Sequence, residues 1–342
     1  MENSRIKNRF AFIKALSVYL PETVETNDNF DPKFLTKLGI ESRHVVSKNE
    51  SAGDIAIRAA EKLFTEHNID RSKIDFVILC TQYPDYISPT TACILQDRLQ
   101  ISKSAGALDF SLGCSGYVYG LSLAKGLIES GSASRVLFLT SSITSKLVNV
   151  DDKTIRPLFG DAATATLINA EESDSAGIDH FVFGTDGSGY DKLYVPAGGS
   201  KHEFRSTEEV FESDERGNRR SNFDLHMDGN AITYFSLRVA PMIVEKILQR
   251  SNLQREQIDY YIFHQVNKFM LEHIRKKCKL DDLPFYSDIH DIGNTVASSV
   301  PIGISRVLNE KKPADLNKVM LAGFGVGLSW AGCIVDLSRM QD

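Results

Sequence analysis

The sequence predicts an α/β protein built from two similar halves, and two observations carry that prediction. Short, nearly all-apolar runs alternate along the chain with amphipathic helical stretches, and one helix–turn–strand pattern occurs twice, at an offset of 184 residues. Nearly continuous apolar strands are those covered on both faces, and their alternation with helices specifies α/β architecture. The expected strands are 76–80, 107–110, 136–140, 165–168, 260–263 and 319–322, with a last strand in SWAGCIVDL. The expected helices are 54–67, 116–130, 231–250, 268–277 and 298–309.

The repeat is direct. Residues 61–80 (EKLFTEHNIDRSKIDFVILC) and 245–264 (EKILQRSNLQREQIDYYIFH) align without a gap. Glu61, Lys62, Asn68, Arg71, Ile74, Asp75 and Ile78 each meet an identical residue. A second echo pairs LGCSGYVYGLSLAKGL, from Leu112, with IGNTVASSVPIGISRVL, from Ile292; a third pairs SRVLFLTSS with NKVMLAGFG. The three echoes keep one order, so the chain divides into halves 1–175 and 176–342 related by a pseudo-twofold axis. Cys114 and Asn294 then occupy matching points, as do Cys80 and His264, and groups near such an axis can converge on one pocket.

Composition sets the outer limits. The 342 residues are 42% hydrophobic and 25% charged, with a formal net charge of -6, which weighs against nucleic acid as a partner. No run approaches the roughly 18 apolar residues of a membrane span, so no membrane insertion is expected. MENSRIKNRFAFIKAL lacks the apolar core and cleavage site of a secretory signal. The five cysteines (Cys80, Cys93, Cys114, Cys278, Cys333) include no CxxC pair. That points to a reducing, cytoplasmic setting, with neither a disulfide frame nor a metal site. The charged stretch 201–222 reads as a lid or as a plain solvated connection.

Three residues carry the candidate chemistry. Cys114, in DFSLGCSGYVYGL, lies where a strand gives way to a helix. A helix start favours a thiolate, and the flanking Gly113 and Gly116 let backbone and substrate come close. The plainer alternative is a small buried cysteine at a packed joint. His264 ends a buried strand, as a general acid or base or an oxyanion donor would, though core histidines sit there too. Asn294, in HDIGNTVASSVP, could simply cap a helix. Together the three make a known nucleophile set. The run AGFGVGLSWAG leads into a strand rather than a helix, which excludes a dinucleotide loop and leaves backbone N–H groups for an oxyanion.

DFSLGCSGYVYGL, FHQVN, GNTVASSVP and GFGVGLSWAG, in that order, resemble the ketoacyl-acyl-carrier-protein synthase III family. LGIESRHV, SPTTACILQ, PLFGDAATATLI and MDGNAITYF are similar too, so the resemblance spans nearly the whole chain. It implies a thiolase-like fold, two pseudo-symmetric α/β halves in an α-β-α-β-α layered core. It implies an acyltransferase that loads an acyl group from acyl-coenzyme A onto Cys114 and condenses it with a malonyl-acyl-carrier protein. His264 and Asn294 would hold the malonyl thioester and stabilise its enolate, and the backbone N–H groups of Cys114 and Val326 would form the oxyanion hole. Phe159, Gly229 and Asn230 would line the pantetheine channel, with Lys37 and Lys153 near the coenzyme A nucleotide. Acyl-coenzyme A and malonyl carrier enter as substrates, and no cofactor is implied. A homodimer paired through a sheet edge is implied as well.

The chain departs from the family at three points. Val326 stands where glycine is usual, Lys33 where an adenine-stacking tryptophan is common, and Ser88 where a phenylalanine reaches the partner's acyl pocket. The last two put an acetyl primer in question. Lys268, Lys276 and Lys277, on the helix after His264, would offer a basic face to an acidic acyl carrier protein, or simply a solvated one. Two rival functions stay open: transfer from Cys114 to a non-malonyl acceptor, and a non-catalytic subunit.

Overall fold

A computed structural model of the chain describes residues 8–215 and 217–341. Two sheets organise it. The first runs, edge to edge, through strands Asn8–Tyr19, Ala162–Ser173, Arg135–Ser142, Phe76–Cys80 and Gly106–Phe110. The second runs through Tyr260–Phe263, Val319–Gly325, Ser329–Val335 and Ile178–Thr185. The first holds three parallel strands, Arg135–Ser142, Phe76–Cys80 and Gly106–Phe110, and the second a parallel pair, Tyr260–Phe263 and Val319–Gly325; antiparallel neighbours extend each.

Alternation along the strands decides the layers. In the first sheet Ile78 and Cys80 face the middle of the molecule while Val77 and Leu79 face outward; in the second Val319 and Leu321 face the middle and Met320 and Ala322 face outward. The middle layer is helices Gly116–Glu129 and Ser299–Glu310, gripped by both sheets. Helices Ala52–Glu66 and Thr91–Arg98 cover one outside, and Gly229–Ser251 and Lys268–Lys277 the other. The result is the layered α-β-α-β-α core.

The repeat extends to single contacts. Glu61 pairs with Arg71 at 2.7 Å, and their counterparts Glu245 and Arg255 are paired as well. Asn68 and Asn252 both take left-handed φ values, 49° and 54°, where each long helix ends. Asparagine is tolerated there better than most side chains. Asp75 accepts from the N–H of Arg135, and Asp259 from the N–H of Lys318, at matching strand entries. The same seven identical residues therefore make the same turn twice.

Candidate active site

Cys114 sits in the turn before helix Gly116–Glu129 and is only 6% exposed. Packing fixes it from both halves. A Cβ on Gly116 would lie 2.4 Å from the sulfur of Cys80, so glycine lets the helix start close on the Phe76–Cys80 strand. From the other half, a Cβ on Gly323 would lie 2.3 Å from the Cys114 carbonyl oxygen, and one on Gly325 would lie 2.5 Å from its sulfur. The obstacle at Gly323 is backbone and cannot swing aside. Gly323→Ala is therefore expected to cost about 1–3 kcal/mol and lower the Tm by a few degrees in a thermal melt; an unchanged Tm would mean that the halves do not meet this tightly.

His264 follows strand Tyr260–Phe263, and its N–H donates to the Ala322 carbonyl at 2.8 Å. The next residue on that partner strand is Gly323, the one against which Cys114 rests. Histidine and cysteine thus reach one point of one strand from opposite halves. Asn294 is pinned through its backbone, its N–H donating to Leu158 O at 2.9 Å and its carbonyl accepting from Gly160 at 3.1 Å. Its Oδ1 accepts from the Val296 N–H at 2.9 Å. Among the described residues nothing accepts from its Nδ2, which leaves two amide protons for a ligand.

The imidazole is buried, with Nδ1 2.6 Å from Ser299 Oγ. Ser299 Oγ itself donates to the Val296 carbonyl at 2.9 Å. A hydroxyl has one proton, so the ring contact is Nδ1–H donating to Oγ, an assignment made from this network, and the neutral ring keeps a lone pair on Nε2. Burial pushes His264 down to about 3, against the pull of the Val296 carbonyl, so the ring is neutral near pH 7. The sequence reading gives this ring a donor role at an enolate. In the tautomer found, that role requires the Ser299 hydroxyl to turn from Val296 to Nδ1, which moves the ring proton to Nε2.

Burial also pushes the Cys114 thiol up to about 12, opposed by the N–H groups of Val326 and of Cys114 itself, which point at the sulfur. Burial thus opposes the thiolate expected at the helix start. Alkylation by iodoacetamide, which needs thiolate, should accelerate about tenfold per pH unit from pH 6 to 9 without levelling off. A plateau below pH 8 would show a resting thiolate.

Cys114, Phe159 and Val326 line one cavity of about 210 Å³, with Leu193, Leu225 and Val296 as apolar wall and Gln82, Ser111 and Thr144 as polar wall. The remaining predicted residues lie outside it. Lys37 and Lys153 are exposed, Gly229 and Asn230 form the exposed start of helix Gly229–Ser251, and Ser88 is on the surface. Lys268, Lys276 and Lys277 are all exposed, but Lys268 opens its ten-residue helix, against Gly39, while the other two close it. Lys276 lies roughly 12 Å along the axis from Lys268 and about 80° around it, while Lys277 lies half a turn around it from Lys268.

Sequence reasoning passed over Ser299, Gln82 and Asp161. Asp161 is buried, its acid pushed up to about 6 by loss of water, and it accepts from the N–H groups of Ser145 and Val46, each at 2.9 Å. It thereby ties down the segment carrying Thr144. One acid inside the apolar run PLFGDAATATLI was the available signal. Asp288, His290 and Asp291 lie close enough to share a cation. The Arg306 guanidinium already answers both carboxylates, at 2.8 and 2.7 Å, so the cluster reads as an ion-pair network.

With this geometry in hand, comparison with known proteins is decisive. The family model for 3-oxoacyl-[acyl-carrier-protein] synthase III matches residues 108–187, and the model for its C-terminal part matches residues 248–337. The chain is 34% identical to the β-ketoacyl-[acyl-carrier-protein] synthase III of Clostridium tetani, an alignment covering 96% of this chain and 99% of the relative. The chain belongs to the synthase III family. A crystal structure of a 3-oxoacyl-(acyl-carrier-protein) synthase III superimposes with a TM-score of 0.92 at 43% identity, covering 96% of this chain and 99% of that one. That of a 3-oxoacyl-(acyl-carrier protein) synthase from Burkholderia xenovorans LB400 gives 0.87 at 33%, covering 98% and 96%. The fold is thiolase-like, as in these synthase III structures, and the chain is an acyltransferase of the condensing type.

Proposed function

We propose that the protein takes an acyl group from acyl-coenzyme A onto Cys114 and condenses it with malonyl-acyl-carrier protein to give a 3-oxoacyl-carrier product. The observation that supports this most is the meeting of Cys114, His264 and the Val319–Gly325 strand at one point, beside a cavity with Phe159 and Val326 on its wall. In the first step the Cys114 sulfur attacks the thioester carbonyl, a new S–C bond forms, the coenzyme A S–C bond breaks, and the thiol's proton leaves with coenzyme A. The N–H groups of Cys114 and Val326 receive the oxyanion. In the second step the malonyl group loses carbon dioxide, its electron pair becomes an enolate, and the carbon attacks the acyl carbonyl. A C–C bond forms, the Cys114 S–C bond breaks, and the sulfur regains a proton from solvent. Asn294 Nδ2 and, once the Ser299 hydroxyl has turned to donate to Nδ1 and the ring proton is on Nε2, His264 Nε2–H bind the enolate oxygen. Decarboxylation itself supplies the carbanion, so the scheme calls on no further cofactor.

The halves 1–175 and 176–342 are read as the units that carry cysteine and His–Asn respectively. Phe159 is assigned to the inner channel, Lys37, Lys153, Gly229 and Asn230 to its outer reach, and Lys268, Lys276 and Lys277 to carrier docking. We read the setting as cytoplasmic, on cysteines that are all free; among the described residues no helix is long and apolar enough to cross a membrane. Strand Gly106–Phe110 is half-buried along its length and, among the described residues, has no strand on its outer edge, which supports a dimer paired there. Sedimentation at about twice 38.0 kDa is expected, and a monomer would contradict the pairing.

Malonyl dependence tests the reaction. With acyl-coenzyme A and malonyl carrier, one carbon dioxide should be released per 3-oxoacyl product. Product formation without carbon dioxide would favour transfer to another acceptor.

A further inference from the structure

Beside the Cys114 cavity lies a second, larger hollow of about 700 Å³. Gln82, Leu147 and Val195 line both, so the two abut at a neck formed by these three side chains. The hollow is walled chiefly by Tyr83, Tyr86, Ile87, Ala197, Phe204 and Phe223. Its two charged side chains are turned onto backbone: Asp85 accepts from the Gly53 N–H at 2.7 Å, and Lys146 donates to the carbonyls of Lys48 and Glu50. The aromatic wall is held in place, Phe204 and Phe223 lying 5.0 Å apart. It is nevertheless wet, with Tyr86 61%, Phe204 73% and Ile87 wholly exposed. An apolar surface of this extent that opens beside a nucleophile is shaped for an apolar chain attached to that nucleophile.

We infer that the acyl group carried on Cys114 is a medium or long apolar chain, which fills the inner cavity and passes the Gln82–Leu147–Val195 neck into this hollow. The inference rests on the reading of Cys114 as the acylated residue and names the substrate class that the site takes. Phe204 comes from the charged stretch 201–222, which makes that stretch one wall of the acyl tunnel rather than a mere connection. Each methylene buried beyond the neck favours the longer thioester, because apolar surface leaves water.

The test is the rate of acylation of the full-length protein, followed by intact mass, across acetyl-, butyryl-, octanoyl- and dodecanoyl-coenzyme A. Octanoyl or dodecanoyl should exceed acetyl at least about tenfold. Ala197→Trp, which fills the hollow beyond the neck, should lower the dodecanoyl-to-acetyl ratio about tenfold or more. Phe204→Ala, at an exposed position, should lower it in the same direction and serves if the tryptophan variant does not fold. Acetyl as the fastest substrate, with condensation intact, would overturn the chain-length inference and leave the proposed reaction standing. So would a ratio unmoved by both variants, and the hollow would then be a seat for a second copy of the chain or for the carrier. No adduct with any thioester would overturn both readings.

Discussion

Cys114→Ala is expected to abolish formation of the 3-oxoacyl product, by roughly 10³-fold or more, with the fold intact. The sulfur is the one atom that both accepts and surrenders the acyl group, and nothing within the cavity replaces it: Ser111 and Thr144 are unactivated hydroxyls on the wall, and Cys80 is wholly buried with its thiol donating to the Leu112 carbonyl at 3.2 Å. Alanine removes one atom from a residue already packed against Gly323 and Gly325 and adds none, so stability should change little. Circular dichroism and a melt alongside the rate separate the two effects. Residual activity within tenfold of wild type would remove Cys114 from the mechanism.

Asn294→Ala is expected to slow condensation by about 10²–10³-fold while acylation of Cys114 stays within tenfold of wild type. Nδ2 is the group of this asparagine left to a ligand, since Oδ1 is held by the Val296 N–H and the backbone by Leu158 and Gly160. Its donors matter only where negative charge develops on the malonyl oxygen. His264→Ala should divide the two half-reactions in the same way. Because burial holds His264 down to about 3, the condensation rate should show no inflection near pH 6.5 from this ring. Both half-reactions can be read by rapid quench and intact mass. Loss of acylation in either variant would mean that these residues activate the cysteine instead of the malonyl group.

The central strands and long helices were legible because burial on both faces leaves a plain signal. Strands 76–80 and 260–263 and helix 268–277 fall where the sequence predicts them. Two strands of the main sheets that escaped notice, Asn8–Tyr19 and Ile178–Thr185, are edge strands. Charge interrupts both: Lys14 stands among buried neighbours and pairs across to Glu171 at 2.7 Å, and Asp179 is exposed. Charges interrupting an apolar run hide such strands from a reading that looks for continuity. At the site, the residues that bear chemistry were readable from motif and repeat. Their protonation was not, because it depends on how much water the fold removes and on one hydroxyl, that of Ser299, that the sequence does not connect to His264.

An acyl group is expected to pass through Cys114. The direct measurement is the intact mass of the protein after mixing with acyl-coenzyme A, then again after adding malonyl-acyl-carrier protein, with Cys114→Ser in parallel. The predicted result is a gain equal to one acyl group on wild type alone, discharged by malonyl carrier as 3-oxoacyl-carrier product appears. An adduct that persists when malonyl carrier is added, or one that forms equally on Cys114→Ser, would contradict it.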